Sequence, residues 1–154
     1  MKTLGLRDII GPIMVGPSSS HTAGALACAL MARNLCADEP KHVTFRLLGS
    51  FAHTYRGHGT DKALVAGMLG FSADDLRIRD SFEWAEKAGL SFTFLPDPEG
   101  DDFTHPNTID IHVEDAEGTA LDVRGESIGG GAAVISRLDG IDVQITGEHT
   151  SVVV

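Results

Sequence analysis

Apolar and polar positions along the chain follow first a helical and then a strand-like spacing. Residues 23–37 are rich in alanine and leucine, which favour helices, and Pro40 ends this predicted helix. Ser19 or Ser20 can cap its start with a side-chain oxygen. Residues 42–48 alternate apolar and polar side chains, which predicts a half-buried strand.

The same patterns predict two more helices and four more strands. One helix opens in the glycine-rich residues 57–61 and runs to about Gly67. Another covers about residues 73–88, where Ser72 and Asp75 predict a capping box and Gly89 predicts the end. The predicted strands are residues 91–95, 109–114, 120–124 and about 141–145, with an acidic loop at residues 96–102.

Composition narrows the class of protein. The chain has 154 residues, enough for one domain, and its net charge of −10 disfavours a nucleic-acid partner. No apolar run approaches the roughly 20 residues that a bilayer requires, and the N-terminus lacks the pattern of a signal peptide. We therefore expect a cytoplasmic protein that binds neither nucleic acid nor membrane.

The two cysteines, Cys28 and Cys36, lie on the first predicted helix. We expect them to be reduced and buried, because a free cysteine behaves as a small hydrophobic residue. Two thiolates do not hold an iron–sulfur cluster, which is bound through three or four closely spaced ones.

Three polar clusters could carry chemistry. Residues 16–22, Gly-Pro-Ser-Ser-Ser-His-Thr, place hydroxyls and backbone N–H groups at the positive end of a helix, which suits a carboxylate or a phosphate. The Gly-Lys-Ser/Thr ending of a nucleotide-binding loop is missing, so ATP and GTP are disfavoured. An ordinary serine-rich helix cap is the alternative.

The other two clusters contain histidines. In residues 57–61, Gly-His-Gly-Thr-Asp, the glycines leave His58 unobstructed, and histidine can act as a base near neutral pH. In residues 105–108, Pro106 constrains His105, and the two following side chains offer donors. A surface turn with an incidental histidine and a plain Pro-Asn turn are the alternatives.

Other chemistries find less support in the sequence. The histidines lack the i, i+4 pairing of a helical zinc motif, and no Gly-x-Ser-x-Gly hydrolase motif occurs. Residue spacing therefore indicates a small-anion pocket with up to three usable histidines, and it names no substrate.

Five segments follow one another in an order typical of a known family: residues 8–25, 49–52, 57–61, 105–108 and 127–131. They resemble the β chain of bacterial iron–sulfur-dependent L-serine dehydratases, over roughly residues 5–154. The chain is also similar to the allosteric substrate-binding domain of some phosphoglycerate dehydrogenases, which binds serine or a related acid without catalysis. The resemblance implies an α+β fold, a mixed sheet with helices packed against it.

The resemblance also implies a division of the chain. Residues 1–146 correspond to the β domain, and residues 147–154 resemble the entry to the ACT regulatory domain that follows in two-chain members. We expect the chain to stop at the start of that truncated domain.

The implied activity is a lyase reaction of amino-acid catabolism, from L-serine to pyruvate and ammonia. The implied cofactor is a [4Fe–4S] cluster on a partner α chain, which acts as a Lewis acid on the substrate hydroxyl. The implied partners are L-serine and that α chain, in a homo- or hetero-oligomer, and this chain alone is expected to be inactive. A non-catalytic serine-binding regulatory module is the alternative, and a scaffold without a ligand is a third.

The resemblance assigns roles to individual residues. His58 is expected to be the base that takes the α-proton, and His21 and His105 are expected to position the substrate or the facing chain. The residues expected to hold the carboxylate are Ser18, Ser19, Ser20 and Thr22. Further substrate contacts are expected from Gly59, Thr60, Asp61, Asn107 and Thr108, and no metal ligand is expected in this chain.

Overall fold

The computed structural model describes residues 19–57, 59–100, 103 and 105–147, and it has an α+β fold. Within these residues a six-stranded mixed sheet carries four α-helices against one face, which confirms the predicted fold class. The helices are α1 (Ser19–Leu35), α2 (Ser50–Thr54), α3 (Thr60–Met68) and α4 (Ser81–Ala88), with a 3-10 helix at Leu76–Asp80. The strands are β1 (Pro40–Leu48), β2 (Ser91–Asp97), β3 (Thr108–Asp115), β4 (Ala120–Gly129), β5 (Ala132–Leu138) and β6 (Ile141–Thr146).

The strands lie in the order β2-β1-β3-β4-β5-β6. Of the described strand pairs only β1 and β2 run parallel, and the connection between them carries α2, α3, the 3-10 helix and α4. A parallel pair requires a long crossover of this kind, whereas β3 to β6 follow one another as antiparallel neighbours joined by short turns. Because β1 and β3 are antiparallel, the end of β1 and the start of β3 meet at one end of the sheet.

The core lies between the sheet and the helices. In β3 the apolar positions Ile109, Ile111 and Val113 are each at most 1% exposed, as their predicted shared face requires. In the neighbouring β1, Phe45 is fully buried and pairs with Ile111 across the sheet. Burial of these alternating side chains fixes the register, since a slip of one residue would turn them to solvent.

The helix predicted at residues 73–88 is interrupted, and its predicted capping box is wrong. The Ser72 hydroxyl donates to Asp74, and Asp75 instead accepts the Arg77 N–H at 2.9 Å and caps the 3-10 helix. That local bond closes a tighter turn, so the α-helix begins only at Ser81. The predicted end is confirmed, because Gly89 has a left-handed φ of 73°.

The predictions differ from the structure in three strands. The strand β4 continues to Gly129 rather than ending at residue 124, and β5 was not predicted at all. At the other edge, β2 continues through Pro96 to Asp97. Proline is tolerated there because β2 is an edge strand of the sheet that the described residues form, and no described strand pairs with its outer side.

Helix α1 contacts the sheet at unusually short range. A Cβ added at Gly24 would lie 1.8 Å from the Ser127 hydroxyl oxygen, and one added at Gly125 would lie 2.8 Å from the Cys28 sulfur. The two glycines therefore allow helix and strand to approach more closely than side chains would permit. None of the helices in the described ranges is long and apolar enough to cross a membrane.

Both cysteines are free, and they differ in environment. Cys28 is fully buried beneath β4, and burial raises the pKa of its thiol to about 12. Cys36 is half-buried at the end of α1, where burial also raises its pKa. The expectation of reduced thiols is met, and the expectation of burial is met fully only for Cys28.

The sheet face opposite the helices carries charged side chains. Arg46 lies 2.6 Å from Asp97 and 3.3 Å from Asp110, and Arg124 lies 2.7 Å from the same Asp110. Arg46, Asp110 and Arg124 line a cavity of about 540 Å³, and none of the residues assigned to substrate or catalysis lines it. On this face His112 lies between Asp122, at 2.7 Å, and Glu114, at 3.4 Å.

The contact between α1 and α3 gives a test of the packing. A Cβ at Gly67 would lie 2.5 Å from Ala29 Cβ and 2.8 Å from the Leu26 carbonyl oxygen. Gly67→Ala gains helix propensity of about 1 kcal/mol, but overpacking costs roughly 1–3 kcal/mol. We expect a net loss in the free energy of unfolding, measured by urea denaturation. Gly147→Ala, where the added Cβ meets no atom within 4 Å, should change it little, and an equally stable Gly67→Ala variant would contradict this packing.

The two carboxylates beside His112, those of Asp122 and Glu114, predict that the free energy of unfolding depends on pH. Hydrogen bonds to Asp122 and then Glu114 raise the pKa of His112 above 6.5. A raised histidine pKa stabilises the fold fully below the unfolded value of 6.5, and this contribution is lost as pH rises through the folded value. We expect His112→Gln to lower the melting temperature more at about pH 5 than at about pH 8. In an Asp122→Asn background this loss of melting temperature at about pH 5 should be smaller. A loss of equal size at both pH values would exclude the ion pairs as its cause.

Candidate functional site

One end of the sheet collects loops from distant parts of the chain. There β1 ends, β3 begins and β4 ends, because each neighbouring pair is antiparallel. Helices α1, α2 and α3 also begin at segments that contact this end. The described parts of the five segments that carry the family resemblance are joined here by hydrogen bonds and close contacts.

Residues 105–108 are fixed from both sides by backbone hydrogen bonds. The Ser50 N–H donates to the Pro106 carbonyl at 2.7 Å, and the Ser127 N–H donates to the Asn107 carbonyl at 2.9 Å. The first bond needs Gly49, whose φ is 55° and whose Cβ, if present, would lie 2.4 Å from the Pro106 oxygen. A side chain at this position would separate the two loops.

His21 lies in the first turn of α1 and contacts two other segments. Its Nε2 is 3.1 Å from the Ser50 hydroxyl oxygen, and its ring packs edge-on against Phe51 with centroids 5.4 Å apart. Its carbonyl oxygen accepts a hydrogen bond from the Thr60 hydroxyl at 2.9 Å. The start of α1 is therefore joined to the start of α2 and to the start of α3.

His105 has a defined donor and acceptor side. Its Nδ1 accepts the Asn107 N–H at 3.1 Å, so a neutral ring carries its proton on Nε2. Its carbonyl accepts the Thr108 hydroxyl at 2.6 Å. His105 thus offers an N–H donor at Nε2, while Nδ1 is occupied by its own loop.

Asn107 has an acceptor that the described residues leave unsatisfied. Its Oδ1 is buried and has no hydrogen-bond partner among them. A buried acceptor without a donor costs about 1–3 kcal/mol. Such an atom is rare in native structures, and a ligand that brings a donor would satisfy it.

The start of α3 shows why glycine precedes it. Gly59 is the N-cap and has a left-handed φ of 74°, which glycine adopts without steric cost. Thr60 follows it fully buried, and Asp61 is half-buried with its carboxylate accepting the Lys62 N–H at 2.8 Å. Burial raises the pKa of Asp61.

The structure brings together several of the predicted site residues and leaves others undescribed. His21, Thr60, His105, Asn107 and Thr108 lie at this end of the sheet, where the hydroxyls of Thr60 and Thr108 donate to backbone carbonyls of the same chain. Thr22 is 2% exposed, and Ser19 and Ser20 form the first turn of α1. Ser18 and His58 lie outside the described residues. Of the segment 147–154, predicted to begin an ACT domain, residues 148–154 also lie outside the described residues.

Sequence reasoning assigned no role to Ser50 or Ser127, although both lie in quoted motifs. Each joins two segments through its backbone N–H, and Ser50 also contacts His21. The signal available was the Gly-Ser pair directly after a predicted strand. That pair indicates a turn, but not which distant loop the turn meets.

The residues of this chain do not fit an iron–sulfur cluster. No three side chains of His, Cys, Asp or Glu are grouped as metal ligands in the part of the chain that the structure describes. Cys28 is a buried thiol with a raised pKa, and the Cys36 thiol donates to the Ala32 carbonyl at 3.3 Å. A cluster is bound through three or four closely spaced thiolates, and this chain has two cysteines, of which Cys28 is fully buried.

Comparison with known proteins agrees with the resemblance seen in the motifs. The family model described as serine dehydratase beta chain matches residues 8–90. The beta chain of L-serine dehydratase from Peptoniphilus asaccharolyticus is 48% identical over 145 residues, covering 94% of this chain and 65% of the relative. A probable L-serine dehydratase beta chain from Bacillus subtilis (strain 168) is 42% identical, covering 100% of this chain and 69% of the relative.

A more distant relative, L-serine dehydratase from Streptomyces coelicolor, is 33% identical over 152 residues and is matched over 33% of its own length. This chain spans about two thirds of the length of the two beta chains that it resembles. The family match covers more than half of the chain, and the beta-chain relatives cover nearly all of it. The chain therefore belongs to the serine dehydratase beta chain family.

Proposed function

We propose that this chain is the cluster-free subunit of a cytoplasmic L-serine dehydratase, a lyase that converts L-serine to pyruvate and ammonia. It works with an α chain that holds the [4Fe–4S] cluster, and it contributes substrate binding and histidines to the shared site. Its two unpaired thiols suit a reducing compartment. The names of its relatives as beta chains of L-serine dehydratase support both the substrate and the partner.

The observation that carries the proposal is the convergence of the family motifs at one end of the sheet. Residues as far apart as His21 and Ser127 meet there through hydrogen bonds and close contacts. A chain with a purely structural role has no need to gather histidines, an unsatisfied amide oxygen and a helix start in one place. A small zwitterionic substrate does need them, because it presents a carboxylate, an ammonium and a hydroxyl.

In the proposed site each group of the substrate meets a group of the chain. The serine carboxylate is held at the start of α1 by Ser18, Ser19, Ser20 and Thr22, where backbone N–H groups and the helix dipole favour an anion. The ammonium donates to Asn107 Oδ1, which has no partner among the described residues. His105 donates from Nε2 to a substrate oxygen, since its Nδ1 is occupied.

The proton chemistry is assigned to His58. It accepts the α-proton while the Cβ–O bond breaks, which gives aminoacrylate, and the departing hydroxide is released with a proton as water. The aminoacrylate tautomerises to an imine, which water hydrolyses to pyruvate and ammonia. Gly59, Thr60 and Asp61 fix the start of α3, which follows His58, because Gly59 caps the helix and the Thr60 hydroxyl donates to the His21 carbonyl. His21 positions the substrate or the facing chain.

Reconstitution tests the proposed function directly. The chain is mixed anaerobically with the cluster-bearing α chain from the same source, and pyruvate formation from L-serine is measured with each chain alone as control. We expect activity only in the mixture. An α chain that is equally active alone would make this domain a sensor or a scaffold. A rise in the melting temperature of this chain with L-serine would then support the sensor, because binding stabilises by mass action, and no rise would support the scaffold.

The base is tested by His58→Ala in the active complex. We expect kcat to fall roughly 10²- to 10⁴-fold, the usual contribution of a general base, with assembly retained. His53→Ala is the matched control, because His53 is an exposed histidine five residues earlier on α2. Turnover of His58→Ala equal to that of His53→Ala would remove His58 from the mechanism.

A further inference from the structure

We propose that Ser50 is a positioning residue, whose hydroxyl holds the His21 imidazole in the orientation that the reaction requires. The inference rests on the proposed function, and it concerns a residue to which the sequence motifs assign no role. It is carried by the contact between the Ser50 hydroxyl and His21 Nε2 at 3.1 Å, together with the way in which the Ser50 backbone is fixed.

The backbone of Ser50 is fixed on two sides. Its N–H donates to the Pro106 carbonyl at 2.7 Å, and its carbonyl accepts the Thr54 hydroxyl at 2.9 Å. Gly49 precedes it in a left-handed conformation that brings the two loops together. The Cβ of Ser50 therefore has a defined position, and rotation about a single side-chain bond aims its hydroxyl.

The ring of His21 has a second contact that complements the first. Phe51, the next residue of α2, packs against it at an interplanar angle of 87°. An edge contact confines the ring but allows it to turn, whereas a hydrogen bond to one nitrogen fixes which nitrogen faces α2. The adjacent residues Ser50 and Phe51 thus both contribute to the orientation of His21.

A hydroxyl suits this task because it can both donate and accept. When Nε2 of His21 is unprotonated, the Ser50 hydroxyl donates a hydrogen bond to it. When Nε2 carries a proton, the hydroxyl accepts one from it. The contact therefore survives a change of protonation without adding a charge to the site. An alanine side chain neither donates nor accepts a hydrogen bond, and a cysteine thiol does both only weakly. Threonine keeps a hydroxyl that donates and accepts.

The same residue connects three of the family segments. Its side chain reaches His21 in the first segment, and its backbone binds Pro106 in the fourth. A substitution that removes the hydroxyl leaves the backbone hydrogen bond to Pro106 in place. It therefore tests the orientation of His21 separately from the assembly of the loops.

Steady-state kinetics of the active complex test the inference. We expect Ser50→Ala to lower kcat roughly 10- to 100-fold, because a misplaced group at a reacting centre costs about that much. KM should stay within about twofold, since the groups assigned to the carboxylate are unchanged. Ser50→Thr should recover most of the rate, and Ser50→Cys should lie between. A loss that threonine does not recover, or an unchanged kcat in Ser50→Ala, would overturn the inference.

Two controls separate positioning from stability. Ser81 also begins a helix, is fully buried and donates to the Lys62 carbonyl at 2.8 Å, outside the site. Ser81→Ala should lower stability and leave kcat unchanged. In a His21→Ala background, Ser50→Ala should cost little further rate, because interacting residues are not additive. An additive second loss would contradict the link between them.

A spectroscopic measurement makes failure of the inference distinct from failure of the proposed function. If the wild-type complex does not deaminate L-serine, the proposed function is wrong, and the contact is still testable in the full chain labelled with ¹⁵N-histidine. We expect Ser50→Ala to shift the Nε2 resonance of His21, and Ser81→Ala to leave it in place. An identical His21 resonance in Ser50→Ala would show that the hydroxyl does not hold the ring.

Discussion

The close approach of α1 to the sheet is the constraint on which the rest of the structure depends. Gly24 on the helix and Gly125 on β4 leave no room for a Cβ, and Gly67 does the same where α3 crosses α1. Helix α1 is thereby held between the sheet and α3. Its first turn, with His21, can lie over the end of β4 only because these three positions carry no side chain.

The two faces of the sheet have separate tasks. The covered face supplies the apolar core, and its loops at one end bring the family segments together. The open face carries arginines bound to carboxylates, such as Arg124 with Asp110, and it takes no part in the proposed site. A protein with a net charge of −10 therefore keeps several of its cations on the face away from the substrate, and it attracts the substrate carboxylate through backbone N–H groups and a helix dipole.

Local patterns predicted the elements whose side chains alternate cleanly, such as β3, and the turn at Gly89. The strand β5 was missed because it follows three glycines and opens with two alanines, although the Asp139-Gly140 pair, with φ values of 48° and 80°, is a typical hairpin turn. The motifs predicted which segments matter. That Ser50 meets Pro106 and His21 depends on strand order, which no local pattern contains.

The spread of the site along the chain also decides when it can form. Its contacts link the start of α1 to the end of β4, so the site has no local precursor. Contacts between residues this far apart in sequence form late in folding, because closing a long loop costs entropy before the contact contributes any stability. During synthesis the helices and β1 emerge well before Ser127, and the site becomes complete only when β4 joins the sheet. Ligand binding therefore reports that the sheet has formed from β1 through β3 to β4.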